Sequence, residues 1–287
     1  MTWDQAIAAA ARRLEEAGIT DALREARLLA RWAGELEATA LLLCGDQPME
    51  PAASARFEMG VMARAARRPL AQITGERLFW GRSFRVTADT LDPRPESETL
   101  IATALERGAG RRVLDLGTGT GCLLLSLLAE WPGATGLGVD LSAAALAVAT
   151  DNAARHGLTP RAALQRSDWF SAVEGRFDVI VANPPYIAPS EVAALSPEVR
   201  LYEPRSALVP CDAPAADGLE AYRAIASGLG AHLAQGGSAF FEIGPSQGRA
   251  VAGIMAAALP CTVQVVPDLD GRDRVICVFC IKSAVMP

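Results

Sequence analysis

Asn183-Pro184-Pro185-Tyr186 closes the β-type run Phe177–Ala182 and is the most specific chemical signal in the chain. Two successive prolines fix the backbone directly after the strand. The Asn183 side chain and the Pro184 carbonyl are thereby held toward a pocket with little freedom. They are two acceptors, enough to bind both hydrogens of one NH2 group, and Tyr186 adds a ring that packs over a planar group. An amide nitrogen is a poor nucleophile because its lone pair is delocalised into the carbonyl. Acceptors on both hydrogens raise the electron density on nitrogen and aim the lone pair. Positive charge grows on nitrogen as it attacks, and preorganised carbonyl dipoles stabilise it there. An electrophile that is already activated, such as a methyl sulfonium, then requires neither a metal nor a covalent nucleophile. Asn183, Pro184 and Tyr186 are the candidate catalytic residues, and Pro185 completes the substrate-binding turn.

A second cluster offers a place for such an electrophile. The run Arg112–Leu116 leads straight into Gly117-Thr118-Gly119-Thr120-Gly121 and then into the helical stretch CLLLSLLAE. The glycines allow a tight turn beneath a ligand, a feature that suits nicotinamide cofactors as well. Asp140 ends the next β-type run, Gly136–Asp140, where an acid accepts hydrogen bonds from both ribose hydroxyls; the alternative is a cap for a helix beginning near Ser142. After the third run, Ala162–Gln165, comes Ser167-Asp168-Trp169-Phe170. Asp168 is able to hold an adenine amino group and Trp169 to cover the ring, although Trp169 also suits a core. This spacing favours S-adenosylmethionine over NAD, with S-adenosylhomocysteine as the product of methyl transfer.

The β-type runs continue with Ser238–Ile243, Cys261–Val266 and Arg274–Ile281, and helical stretches separate most of them. That alternation predicts an α/β domain with a mostly parallel sheet and helices on both faces. Only the turn DLDGRD divides the last two runs, so they are expected to pair antiparallel. Residues 2–68 instead carry apolar residues at three- and four-residue spacing. Helices are expected over Trp3–Ala17, Asp21–Ala33 and Ala52–Ala66, forming a small bundle. Its arginines (Arg12, Arg13, Arg24, Arg27, Arg31, Arg64, Arg67, Arg68) read either as solvated helix surface or as a docking face for an acidic partner. Gly75, Gly81 and the aromatics between them predict two short strands, a hairpin linking the domains. The expected boundaries are 1–70 for the bundle, 71–93 for the hairpin linker and 94–287 for the cofactor-binding domain.

Composition narrows the function classes. Hydrophobic residues make up 51%, enough for a sizeable core, and 21% charged residues do not fit a disordered chain. A net charge of −6 argues against stable, charge-driven nucleic-acid binding. The N-terminus is charged and lacks an apolar signal region, and no stretch is apolar enough for a membrane span. A cytoplasmic protein is expected. The six cysteines lack metal-ligand pairing and read as buried free thiols in a reducing compartment, with no metal site. His156 and His232 read as surface residues.

The stretches PLAQITGERLFWGRSFRV, LDPRPESETL, VLDLGTGTG, SDWF, NPPYI, VRLYEPRSALV and GRDRVI span about residues 69–280 and resemble the HemK/PrmC family. That family methylates the glutamine of the Gly-Gly-Gln loop in class 1 peptide chain release factors, supporting translation termination. The resemblance implies a Rossmann-like class I methyltransferase domain: a seven-stranded, mostly parallel sheet with its last strand antiparallel. A β-hairpin would join it to the helical bundle, which would dock the substrate. It implies that Gly117 to Gly121, Asp140 and Trp169 contact S-adenosylmethionine and that Asn183 to Tyr186 hold the glutamine, with Asn183 bordering the cofactor as well. Arg94 and Glu98, in PRPESE, would border the active site; a salt-bridged helix start after Pro95 is the alternative. Asp92 stands where an apolar residue is expected in many relatives, a departure that touches local packing. A DNA adenine methyltransferase would need a target-recognition domain. An RNA guanine methyltransferase shares the motif but leaves the helical bundle less easily explained. A non-enzymatic cofactor-binding module has no reason to keep an intact NPPY. A monomer is expected, with a release factor as partner.

Overall fold

The computed structural model describes residues 1–280, so the expected end of the last strand at Ile281 and the rest of the C-terminus lie outside the described residues. Two compact units divide the chain: Met1–Glu76 together with Ser196–Tyr202, and Arg77–Leu195 together with Glu203 onward.

The first unit holds α1 (Trp3–Glu16), α2 (Ala22–Gly34), α3 (Ala38–Leu43), α4 (Pro51–Ala65) and α5 (Leu70–Thr74). Thr2 and Gln5 form a capping box that satisfies donors at the start of α1. Trp3, Ile7, Ala10 and Leu14 recur at helical spacing and join Leu29 of α2 and Phe57 and Val61 of α4 in one core. Each large side chain buried this way contributes about 1.5–3 kcal/mol, an upper estimate because the unfolded chain is itself partly collapsed.

The second unit opens, one residue into the strand, on a hairpin of β1 (Glu76–Phe79) and β2 (Arg82–Arg85), whose turn residues Trp80 and Gly81 both take positive φ. That geometry matches the twist of paired strands. There follow α6 (Glu98–Arg107), β3 (Arg112–Leu116), α7 (Cys122–Glu130), β4 (Thr135–Asp140), α8 (Ala143–Arg155), β5 (Ala162–Arg166) and β6 (Phe177–Ala182). Beyond them lie α9 (Pro197–Tyr202), α10 (Arg205–Leu208), α11 (Glu220–His232), β7 (Leu233–Glu242), α12 (Gly248–Ala258), β8 (Cys261–Pro267) and β9 (Asp273–Cys280). Helix α9 alone of these belongs to the first unit.

The sheet order is β5-β4-β3-β6-β7-β9-β8. Strands β5, β4, β3, β6 and β7 run parallel, while β9 lies antiparallel between β7 and β8. Successive residues of β3 feed opposite faces: Val113 enters a core with Leu124 and Leu127 of α7, and Leu114 enters one with Ile225 and Leu229 of α11. Burial on both faces is why these runs read as continuous apolar stretches. The register also fixes the site. Leu116 pairs with Val139 on one side and Ala182 on the other, so Gly117, Asp140 and Asn183 all begin at one rim of the sheet.

Several expectations need correction. Arg64 is not on a solvated face: its side chain is 8% exposed and pairs with Glu25 and with Glu198 of α9. Arg67 also bonds Glu198, at 2.8 Å. Tyr202 donates its hydroxyl to the Ala66 carbonyl at 2.7 Å, and the Gln72 amide donates to the Tyr202 carbonyl at 3.0 Å. The histidines are half-buried and packed on rings, His232 stacked on Phe170 and His156 against Phe84. Of the cysteines only Cys277 is fully buried; all six are free thiols. Asp92 is buried, with Arg77 at 3.5 Å, and burial raises its pKa against the pull of Arg77 and Arg94.

Candidate active site

The glycine turn is built by backbone bonds across two strands. Gly117 and Thr118 donate their N–H groups to the Val139 carbonyl, at 2.8 and 2.9 Å. Gly117, Gly119 and Gly121 all have positive φ, which favours glycine at each. A Cβ on Gly119 would meet nothing within 4 Å, and one on Gly117 would meet only the Trp169 ring, at 4.0 Å. The turn therefore opens onto free space beside that ring. Thr118 donates its hydroxyl to Asp115, at 2.6 Å, and Asn152 donates to the Thr120 carbonyl, at 2.9 Å. Asp115 is fully buried, and burial, opposed by the Thr118 bond, raises its pKa to about 7.

Asp140 stands at the end of β4. Its carboxylate accepts from the Gly119 and Ser142 N–H groups, both at 2.9 Å. Ser142, not Asp140, caps α8. Each carboxylate oxygen retains a further acceptor direction, so Asp140 is oriented by the backbone without being saturated. Asp168 is exposed at the start of the loop after β5. Trp169 has φ of 48°, a strained left-handed backbone for a bulky residue, and Ser167 donates its hydroxyl to the Trp169 carbonyl at 2.8 Å. The loop holds the ring beside Gly117 at a cost in backbone energy.

Asn183 leaves β6 half-buried and donates from Nδ2 to the Ser97 hydroxyl at 3.4 Å, which turns Oδ1 away from Ser97. Pro184 is buried. The following loop is braced on three sides. Gln247 donates to the Tyr186 carbonyl at 2.9 Å, Ile187 donates to the Leu208 carbonyl at 2.9 Å, and Gly218 sits hard against Tyr186. Burial pushes the Tyr186 phenol up to about 12, so it stays neutral.

Arg94 and Glu98 have different roles in the fold. Arg94 bonds Glu203 at 3.0 Å, and Glu203 also accepts from the Asp92 N–H. Glu98 accepts from the Trp80 N–H at 2.8 Å and so ties the hairpin turn to α6. A salt bridge does hold the segment before α6, but its acid is Glu203. Ser97, Glu242 and Gln247 gather at the same rim and escaped the sequence reading. An acid ending the apolar run SAFFE was the available signal for Glu242. Among the described residues no group of three or more His, Cys, Asp or Glu side chains is placed to hold a metal.

A mostly parallel sheet with a glycine turn after its central strand, an acid ending the next and NPPY ending the fourth, all at one rim, defines a Rossmann-like class I methyltransferase. Residues 88–198 match the methyltransferase small domain family, and residues 5–75 match the PrmC N-terminal domain family. The chain is 57% identical to a release factor glutamine methyltransferase of Cereibacter sphaeroides, over 94% of this chain and 96% of that one. It is 43% identical to one of Rhodospirillum rubrum, over 96% of this chain and 83% of that one. The chain belongs to the release factor glutamine methyltransferase family. Among solved structures, a methyltransferase from Pyrococcus furiosus matches 78% of this chain and 98% of its own, with a TM-score of 0.53 and 16% identity, a likeness of fold.

Proposed function

We propose that this protein transfers a methyl group from S-adenosylmethionine to the side-chain amide nitrogen of the glutamine in the Gly-Gly-Gln loop of class 1 release factors. The observation that carries the reading is the shared rim: the glycine turn, Asp140 and Asn183 start at one level of adjacent strands. The family supplies the substrate class.

The residues fit the cofactor. Open space above Gly119, an aromatic ring beside Gly117 and an oriented carboxylate at Asp140 suit a nucleoside with a ribose diol. Asp140 would hold the ribose, Trp169 would cover the adenine and Asp168 would accept from its amino group. S-adenosylmethionine supplies, when bound, a methyl group on a sulfonium leaving group. Asn183 Oδ1 and the Pro184 carbonyl accept the two amide hydrogens, and the Tyr186 ring packs over the amide plane. The nitrogen forms one bond to carbon and releases one proton to water, so no base inside the pocket is required. Arg94 and Glu98 support the rim from behind, through Glu203 and the hairpin. Glycines flanking the acceptor glutamine have no side chains to clash at a narrow entrance. The first unit serves as a docking surface for the release factor, adding to the active-site rim toward the roughly 800 Å² a standard partner surface buries. Among the described residues no helix is long and apolar enough to cross a membrane. A cytoplasmic enzyme fits a substrate that works on ribosomes.

Mass spectrometry of a release factor before and after incubation tests the reading. One added methyl on the Gly-Gly-Gln glutamine is expected, and none when that residue is replaced by alanine. Equal methylation of the alanine variant, or faster methylation of DNA than of protein, would refute it.

A further inference from the structure

The register of β6 and β7 brings an acid up behind Asn183. Ala182 pairs with Phe241, so the next residues, Asn183 and Glu242, leave the sheet side by side. Ser97 stands with both. It ends the 3-10 turn Pro95–Ser97 that runs into α6, and with helical φ and ψ its side chain makes no capping bond. The buried hydroxyl is used elsewhere. It accepts from Asn183 Nδ2 at 3.4 Å and faces the Glu242 carboxyl, whose pKa it pulls down. Glu242 is 1% exposed, and its Oε2 has no hydrogen-bond partner among the described residues. An acid at that depth costs stability, and an apolar side chain of similar volume would serve packing better.

We propose that Glu242 is a positioning residue which, through Ser97, sets which end of the Asn183 carboxamide faces the substrate amide; this rests on the role given to Asn183 above. The two ends of a carboxamide have nearly the same shape, but only Oδ1 accepts a hydrogen from a substrate NH2. A serine hydroxyl both donates and accepts, so alone it does not choose between them. An ionised carboxylate only accepts. It accepts a hydrogen bond from the Ser97 hydroxyl, leaves the Ser97 lone pairs facing Asn183, and so draws Nδ2 inward and turns Oδ1 to the pocket. A protonated Glu242 is able to donate to Ser97 instead. The Ser97 proton then turns to Asn183 and favours the flipped amide, with NH2 opposed to NH2.

Burial raises Glu242 to about 7, with the Ser97 bond and Arg274 pulling the other way. The groups facing it are Arg274 of β9, Glu96 and Arg94 before α6, Tyr186 after β6, Tyr222 of α11 and Cys122 of α7. The Arg274 guanidinium is committed to Asp268 and the Ile243 carbonyl, so it acts on Glu242 through space.

The test is a set of single-turnover rates at saturating cofactor and release factor, taken from about pH 6 to about pH 8.5 to bracket that titration. The unmodified protein, Glu242→Gln, Ser97→Ala and the double variant are compared. The unmodified rate is expected to rise through about pH 7. Each single variant is expected to lose on the order of tenfold to a hundredfold and to show no such rise, as expected for a misaimed contact. Affinity for S-adenosylhomocysteine, read by calorimetry, stays within about twofold, and the double variant is no slower than Ser97→Ala, because the two groups act as one chain. Losses that add in the double variant overturn the relay. If Glu242→Gln does not fold, Ser97→Ala decides: a flat profile supports the relay and a retained rise overturns it. No methylation by the unmodified protein overturns the functional reading and this inference together. Normal methylation with an unaltered Glu242→Gln rate and profile overturns this inference alone.

Discussion

At the scale of single residues the site combines groups that act on binding with groups that act on charge. Asn183 belongs to the second kind, since its carbonyl dipole meets charge that develops only during transfer. Asn183→Ala is expected to lower the single-turnover rate by about a hundredfold, comparable with losing one oxyanion-hole donor. Cofactor affinity would stay within a few-fold, and a rate near that of the unmodified protein would mean that another group holds the amide. Glu242 also leaves a mark on stability. Its native pKa, raised to about 7 from 4.5, means the folded state holds more protons than the unfolded chain between those values. This contribution is full below the unfolded pKa and is lost as pH rises through about 7. Glu242→Gln removes the loss. Denaturant titrations are expected to show the variant gaining on the unmodified protein as pH rises from about 5 to about 8.5, by at most about 3 kcal/mol. A constant difference across that range would remove the buried charge from the account. The same substitution is thus expected to steady the fold and slow the chemistry, a trade found where a site is held under strain.

At the scale of elements, the site is as stiff as the loop that follows β6. Gly218 has φ of +77°, and a Cβ there would lie 2.5 Å from the Tyr186 carbonyl oxygen. Gly218→Ala is expected to cost about 1–3 kcal/mol in strain and to shift the NPPY backbone. Turnover falls about tenfold or more while cofactor affinity holds, because the glycine turn lies on other strands; unchanged turnover would show a loop able to absorb the displacement. These elements were unequally legible in the sequence. The glycine turn, Asp140 and NPPY are contiguous motifs at strand ends, and the apolar runs on either side announced the strands. The start of β7 was read late, at Ser238 instead of Leu233, because Gln235-Gly236-Gly237 breaks the apolar pattern across an irregular register beside β6. Ser97, Glu242, Gln247 and Gly218 were not legible as a group, since only the strand register and loop packing bring them to one place. The insertion of β9 between β7 and β8 was equally hidden: a hairpin turn predicts antiparallel pairing but not which strand takes the inner position.

At the scale of the whole molecule, the first unit is discontinuous in sequence, completed by Ser196–Tyr202. Glu198 of that segment holds two arginines. Burial alone would raise its pKa, but bonds from its own N–H, Arg67 and Arg64 hold it below the usual range. Glu198→Ala leaves Arg64 with Glu25 as its one carboxylate partner and is expected to cost about 1–3 kcal/mol. Amide exchange across 196–202 should quicken while that of β3 and β6 does not. A depressed carboxyl stabilises above its unfolded pKa and loses that contribution as pH falls through its native pKa, so the deficit is expected to close in acid. Undisturbed exchange in α9 would show that the cluster is dispensable. The same discontinuity imposes an order on synthesis. The chain emerges from the ribosome at about 5–20 residues per second, and 134 residues separate Arg64 from Glu198. The first unit therefore spends roughly 7 to 27 seconds with that arginine half-neutralised and its last helix not yet made. Its opening helices are made long before the segment that completes it.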